Sequence, residues 1–161
     1  DHGDLVMVEL ATMTRKVRKT YRQMQDEILC VARALAKAGI CDQYIGLYGE
    51  NSPAWIAAFW AILASGNKPY LVNLRYPTGL TAGILKTLQI RYILCSAAGS
   101  LEGEYIPISE LEGAAGAVPE DVFEDELAFS SSATSMNEVI CFYSGKQISE
   151  QILNFRSIVK E

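Results

Sequence analysis

Short apolar segments alternate with stretches of helical periodicity along most of this chain. Residues 44–48, 69–73 and 92–95 form apolar segments bounded by turn residues, and each has the length of a buried strand. Between them, residues 53–64 and 77–88 have the apolar spacing of helices. This alternation is typical of βαβ crossovers, which connect parallel strands. The sequence therefore predicts an α/β fold with a mostly parallel sheet and flanking helices.

The first forty residues predict a different local arrangement. Residues 5–10 and 16–21 have the pattern of two short strands, which we expect to form an antiparallel hairpin outside the parallel sheet. From Arg22 to Ala38 apolar residues recur at helical spacing, and Gly39 follows where a left-handed cap is expected. We expect a single domain over residues 1–161, with residues 1–4 as a disordered end or an addition foreign to the natural chain.

Patterns of burial can also be predicted. Residues 53–64 are apolar on nearly all sides and include Trp55 and Trp60, so this helix is expected to be buried between the sheet and another layer. Core packing is the favoured role of its aromatic rings, and a ligand pocket is the alternative. Residues 100–125 indicate a surface connection that includes a short strand at 105–108. Glu124, Asp125 and Glu126 are expected to be solvated, because they lie in a polar segment.

Charge and composition exclude several classes of function. The net charge is −5, and the basic residues are scattered except at 15–19, so no cationic face for nucleic acid is expected. The alternating charges of 15–19 favour a solvated strand edge. No apolar segment is long enough to span a membrane. The single histidine, His2, argues against a histidine triad or a zinc site. The four cysteines form no C-x-x-C pair, which predicts reduced thiols and a cytoplasmic location.

A hydroxyl-rich turn at residues 130–135 lies between two apolar segments, 127–129 and 139–142. In such a turn, backbone N–H groups and side-chain hydroxyls can converge on a bound anion, as they do in phosphate-binding loops. Serine-rich turns are also common as solvated hairpin loops. On this segment alone the solvated loop is the favoured interpretation.

Four upstream segments carry a resemblance to a known family. Residues 19–24, KTYRQM, look like a T/S-Y-x-E-L segment before a long helix, and residues 34–40, ALAKAGI, fit an A-x-x-L-x-x-x-G-V/I helix end. Residues 49–55, GENSPAW, match an N-S-x-E-W turn, and residues 61–73, AILASGNKPYLVN, are similar to L-K-A-G-x-x-Y-V-P. In this order the motifs resemble those of the adenylate-forming (AMP-binding) enzymes, which include acyl-CoA synthetases, luciferases and the adenylation domains of peptide synthetases.

By this resemblance, residues 129–139, FSSSATSMNEV, take the place of the family's phosphate loop. The implied nucleotide-binding positions are Ser130, Ser131, Ser132, Thr134, Ser135 and Glu138. Ser132 and Ser135 stand where the family has glycines, which restricts the backbone conformation. Glu138 stands where the family has a lysine, and its carboxylate would repel the phosphates. The resemblance therefore implies weakened or unusual ATP binding.

The resemblance implies that this chain is the N-terminal portion of an ATP-dependent carboxylate-activating ligase of the acyl-CoA synthetase type. In the family, ATP with Mg²⁺ and a carboxylic acid give an acyl-adenylate and pyrophosphate. A thiol acceptor, coenzyme A or a carrier protein, often takes the acyl group afterwards. The family's catalytic lysine lies in a C-terminal domain, so no catalytic residue is expected in residues 1–161 and the chain alone is expected to be inactive. Apolar surface exposed where the remainder would dock favours homo-oligomers.

Two other functions stay open from the sequence. A non-catalytic interaction or scaffold domain with a decayed phosphate loop is favoured by Glu138. A generic dinucleotide-binding domain ranks last, because no G-x-G-x-x-G follows the segment 44–48.

Overall fold

The chain begins with the antiparallel hairpin expected from its sequence. The computed structural model describes residues 2–11, 16–96, 99–111, 113, 124–131 and 140–150. Strands β1 (Val6–Ala11) and β2 (Lys16–Thr20) pair with Glu9 opposite Arg18. Glu9 forms ion pairs with Lys16 at 2.7 Å and with Arg18, and these two cations hold the pKa of Glu9 below its usual range. Lys16 and Arg18 therefore lie largely exposed on a strand, as predicted, and they also pair with Glu9.

Helix α1 (Tyr21–Lys37) follows the hairpin directly. The Thr20 hydroxyl accepts a hydrogen bond from the Gln23 N–H at 3.3 Å, and the Gln23 side chain accepts one from the Thr20 N–H at 2.9 Å. This capping box satisfies two N–H groups at the helix start. Gly39 has a φ of +70°, which confirms the predicted left-handed conformation beyond the helix end. The side chains that α1 buries are those of Met24, Val31, Ala32 and Leu35.

The rest of the described chain alternates between strands and helices. The strands are β3 (Tyr44–Tyr48), β4 (Lys68–Leu71), β5 (Tyr92–Cys95), β6 (Glu104–Pro107), β7 (Glu126–Ser130) and β8 (Ile140–Ser144). They form one sheet in the order β6-β5-β3-β4-β7-β8. All neighbouring pairs are parallel except β7 and β8, which are antiparallel. The mostly parallel sheet predicted from the sequence is thus confirmed.

Helices cover both faces of this sheet. Helix α2 (Pro53–Ala64) connects β3 to β4, helix α3 (Thr78–Thr87) connects β4 to β5, and residues 145–150 begin a helix α4 after β8. Leu94 of β5 packs in the same buried cluster as α1 and α2, whereas its neighbour Ile93 packs in the cluster of α3. Because successive strand residues point to opposite faces, α3 lies on the face opposite α1 and α2. No helix in the described ranges is long and apolar enough to cross a bilayer.

Two predictions of burial were wrong in part. Helix α2 buries Ala57, Ala58, Ala61 and Ile62, but Trp60 is 41% exposed because it points away from both the sheet and α1. Residues 100–125 were expected to lie on the surface. Instead, Leu101 joins the core on the α3 face, and Ile108, the first residue of a 3-10 turn (Ile108–Leu111), joins the core on the other face.

The expectation that Glu124 and Glu126 are solvated was wrong. Both residues form contacts at the amino edge of the sheet, where the parallel strands begin. The Tyr44 hydroxyl donates a hydrogen bond to the Glu126 carboxylate. The Lys68 ammonium lies 3.7 Å from the Glu124 carboxylate and 5.9 Å from the centre of the Tyr44 ring. These groups lie at the starts of β3, β4 and β7, which the parallel pairing brings together although they are far apart in sequence. Glu124 and Glu126 are therefore partly buried and partnered.

One buried amide fixes the connection between α2 and β4. Asn67 is fully buried, and its Nδ2 donates to the Ile40 carbonyl at 2.9 Å and to the Ser65 hydroxyl at 3.0 Å. Its Oδ1 accepts from the Gln43 N–H at 3.3 Å. A single side chain thus satisfies two backbone groups in the connection between α1 and β3, where an unpaired buried group would be costly.

We expect Asn67→Ala to lower the free energy of unfolding by about 2–3 kcal/mol, because it leaves buried backbone groups without partners. The matched control, Asn51→Ala at an exposed position, should cost less than about 0.5 kcal/mol. Urea unfolding of both variants measures the difference. Equal costs would show that the buried amide contributes nothing specific.

Stability should also fall at alkaline pH through Tyr44. Burial, followed by the hydrogen bond to Glu126, raises the pKa of Tyr44 above its usual value. The unfolded state, with a phenol pKa of about 10, then loses its proton before the folded state does, so stability present below about pH 10 is lost as the pH rises further. Urea midpoints between about pH 9 and 12 should decline less steeply in Tyr44→Phe than in the wild type. Tyr21→Phe, at a half-exposed ring, is the control and should keep the wild-type decline.

Candidate functional site

The carboxyl ends of the parallel strands meet at one edge of the sheet. Strand β3 ends at Tyr48, β4 at Leu71 and β7 at Ser130. Helix α2 leads from β3 to its neighbour β4, whereas α3 leads from β4 to β5 on the other side of β3. In open α/β sheets, ligands bind outside the carboxyl ends at such a reversal of strand order. The hydroxyl-rich turn leaves the sheet at this edge, two strands from β3.

Two of the residues suggested by the sequence lie at the root of this turn. Ser130 is the last residue of β7 and is buried, and its hydroxyl lies 3.2 Å from the hydroxyl of the fully buried Tyr70 on β4. Ser131 follows, and its carbonyl accepts a hydrogen bond from the Tyr76 hydroxyl. The structure therefore brings both serines to the carboxyl edge, where Ser130 contacts a neighbouring strand.

The other four suggested positions lie outside the described residues: Ser132, Thr134, Ser135 and Glu138. Their predicted contact with phosphate stays a prediction. What the structure gives is the place where the turn departs from β7 and returns to β8, since Ser130 pairs with Ile140.

A small polar cavity of about 100 Å³ opens at the same edge. Its lining includes Tyr48 at the end of β3, Asn73 and Tyr76 after β4, Thr78 at the start of α3, and Ser100 after β5. Six of its nine lining side chains bear hydroxyl or amide groups, Val72, Leu74 and Leu101 are apolar, and none of the nine carries a formal charge. This edge therefore offers hydrogen-bonding groups beside the root of the turn, and Tyr76 belongs to both features.

Two titratable groups described on β5 and β6 have raised pKa values. Burial raises the pKa of the Cys95 thiol at the end of β5, with a smaller effect of Glu110, and a protonated thiol is a poor nucleophile. Burial also raises the pKa of Tyr105, whose ring contacts Tyr48 edge to face. None of the four cysteines forms a disulfide. In the described part of the chain, no group of three or more histidine, cysteine or acidic side chains is placed to hold a metal ion.

The profile of the AMP-binding enzyme family matches residues 2–152. The chain belongs to the AMP-binding enzyme family. A search of curated proteins finds no match. Solved structures do match, and the similarity extends over about four fifths of this chain.

Three solved structures illustrate the likeness to AMP-binding enzymes. The N-terminal subdomain of NpsA from Klebsiella oxytoca is 17% identical with a TM-score of 0.68, and the match covers 81% of this chain and 36% of that one. The inhibitor-bound N-terminal domain of FACL13 from Mycobacterium tuberculosis is 19% identical with a TM-score of 0.69, and the match covers 80% of this chain and 38% of that one. The o-succinylbenzoate CoA synthetase (MenE) from Bacillus subtilis, in complex with its acyl-adenylate intermediate, is 16% identical with a TM-score of 0.67, and the match covers 77% of this chain and 36% of that one. At these identities the likeness shows the fold, and this chain spans well under two thirds of each neighbour.

Sequence reasoning missed the two tyrosines that contact the root of the turn. The sequence pattern places Tyr70 in a strand motif without predicting its contact, and it predicts no role for Tyr76. A signal for Tyr76 does exist: it is an aromatic residue in the turn between a parallel strand and the proline that precedes the next helix. Such turns lie at the carboxyl edge, where binding residues concentrate.

Proposed function

We propose that this chain is the N-terminal portion of an ATP-dependent, AMP-forming carboxylate-activating ligase. Its hydroxyl-rich turn, with Ser130, Ser131, Ser132, Thr134, Ser135 and Glu138, would face the phosphates of ATP bound with Mg²⁺. The observation that carries this proposal is the departure of the turn from β7 at the carboxyl edge of a parallel sheet, in a chain of the AMP-binding family. Anion-binding loops of other α/β proteins occupy this kind of place.

The proposed reaction joins a carboxylic acid to the AMP part of ATP and releases pyrophosphate. A thiol acceptor, coenzyme A or a carrier-protein thiol, would then take the acyl group. In support, MenE is a CoA synthetase solved with an acyl-adenylate, and another neighbour contains adenylation and carrier-protein domains. Residues 1–161 would form one structural domain without a catalytic residue of their own, so we expect the chain alone to be inactive. We also propose a cytoplasmic location, and self-association of the isolated chain through exposed apolar side chains such as Trp60 and Phe142.

A second candidate is a non-catalytic interaction or scaffold domain that keeps the fold of the family. The specific observation in its favour is Glu138, which stands where the resemblance places a lysine. A carboxylate there would repel the phosphates that an ammonium would attract. The two candidates differ in one measurable property, the binding of Mg-ATP by the full-length protein.

We expect Glu138→Lys to tighten Mg-ATP binding by roughly tenfold in the full-length protein. The substitution removes the repulsion between a carboxylate and the phosphates and adds the attraction between an ammonium and the phosphates. Each of these two effects is worth on the order of 0.5–1 kcal/mol at a solvated position. The matched control is Glu102→Lys, which makes the same change in net charge at an exposed residue near the start of β6, at the amino edge. Isothermal titration calorimetry gives the dissociation constants.

Equal tightening in both variants would contradict the proposed position of Glu138 and indicate a general effect of net charge. No detectable Mg-ATP binding by the wild type or by Glu138→Lys would favour the non-catalytic candidate. Exchange of labelled pyrophosphate into ATP, measured with a panel of carboxylic acids, then tests adenylation directly.

A further inference from the structure

The first peptide of the hydroxyl-rich turn is held by a side chain from a distant part of the sequence. The Tyr76 hydroxyl donates a hydrogen bond to the carbonyl of Ser131, which lies 55 positions further along the chain. One residue earlier, the Ser130 hydroxyl contacts that of Tyr70 at 3.2 Å. Two tyrosines that flank the end of β4 therefore contact the last residue of β7 and the first residue beyond it.

Hydrogen bonds fix the main chain on both sides of Tyr76. The Asn73 side chain accepts a hydrogen bond from the Arg75 N–H at 3.0 Å, and the Asn73 carbonyl accepts one from the Tyr76 N–H at 3.2 Å. Directly after Tyr76, the Pro77 carbonyl accepts the first hydrogen bonds of α3, including one from the Leu80 N–H at 3.0 Å. A folded turn and a helix start thus fix the backbone from which the Tyr76 ring extends.

We propose that Tyr76 is a positioning residue for the phosphate-binding turn, supported by Tyr70, an inference that rests on the proposed function. Phosphate-binding loops act largely through backbone N–H groups. In a planar trans peptide the N–H points opposite to the C=O of the same peptide. A hydroxyl that fixes the Ser131 carbonyl therefore also sets the direction of the amide that follows it. Tyr76 acts through this peptide and does not touch the nucleotide.

The variant Tyr76→Phe tests this role because it removes the hydroxyl and keeps the ring. Tyr105→Phe is the matched control: the Tyr105 hydroxyl also bonds to the backbone, accepting from the Leu101 N–H at 2.7 Å, but it lies on the edge strand β6, four strands from β7. Both variants lose one hydrogen bond between a phenol and a main-chain group. Urea midpoints of the two variants show whether their stabilities change to a similar degree.

We expect Tyr76→Phe to raise the dissociation constant of Mg-ATP about fivefold, the loss expected for one hydrogen bond, and Tyr105→Phe to change it less than twofold. Hydrogen exchange of the amides in residues 126–131 should accelerate several-fold in Tyr76→Phe alone. Wild-type affinity and exchange in Tyr76→Phe, or equal effects of both variants, would overturn the inference.

The two proposals fail in distinguishable ways. If the wild type binds no Mg-ATP, the proposed function is contradicted, and the exchange measurement still decides whether Tyr76 holds the root of the turn. Unchanged exchange in Tyr76→Phe would then overturn the inference as well. If the wild type binds Mg-ATP and Tyr76→Phe binds it equally well, the proposed function survives and the positioning role does not.

Discussion

Strand β4 is the constraint on which the rest of the structure depends. It lies between β3 and β7, and both neighbours run parallel to it. Tyr70 in this strand is fully buried, and Asn67 just before it is fully buried and hydrogen-bonded on several sides. A strand paired on both edges and covered on both faces cannot shift its register without exposing apolar groups or breaking buried hydrogen bonds. The positions of β7 and of Ser131 directly after it follow from this fixed strand.

The two edges of the sheet carry different chemistry because parallel strands separate their two ends. At the amino edge, side chains from the starts of three strands meet. The Lys68 ammonium lies beside the Glu124 carboxylate and the Tyr44 ring, and the Tyr44 hydroxyl donates to Glu126. At the carboxyl edge the described side chains are mostly neutral hydroxyl and amide groups, including those of Tyr76 and Ser130. The Glu126 carboxylate therefore connects the start of β7 to Tyr44 on β3. The hydroxyls of Tyr70 and Tyr76 contact the end of β7 and the residue after it.

Membership of the AMP-binding family and the likeness to solved structures concern the scaffold. The fold is shared over about four fifths of the chain, while identity stays below 20% in the three neighbours described. At that divergence the arrangement of strands persists, whereas the chemistry of the turn depends on individual side chains. Function resides in the site and not in the fold, so the proposed activity depends on the turn, where the resemblance places glycines at Ser132 and Ser135 and a lysine at Glu138, more than on the likeness of the scaffold.

The sequence by itself determined the local elements. The capping residues Thr20 and Ser52, the proline at the start of α2 and Gly39 after α1 act within one helical turn, so their effects can be read from neighbouring residues. The alternation of strands and helices over residues 44–95 also predicted the parallel pairing of β3, β4 and β5, because a helix usually connects parallel strands. Only the tertiary structure decided the strand order, the exposure of Trp60, the partners of Glu126 and the contact of Tyr76 with Ser131. These features depend on contacts between groups that are far apart in the sequence. No local pattern of polarity or spacing predicts which of those groups come into contact.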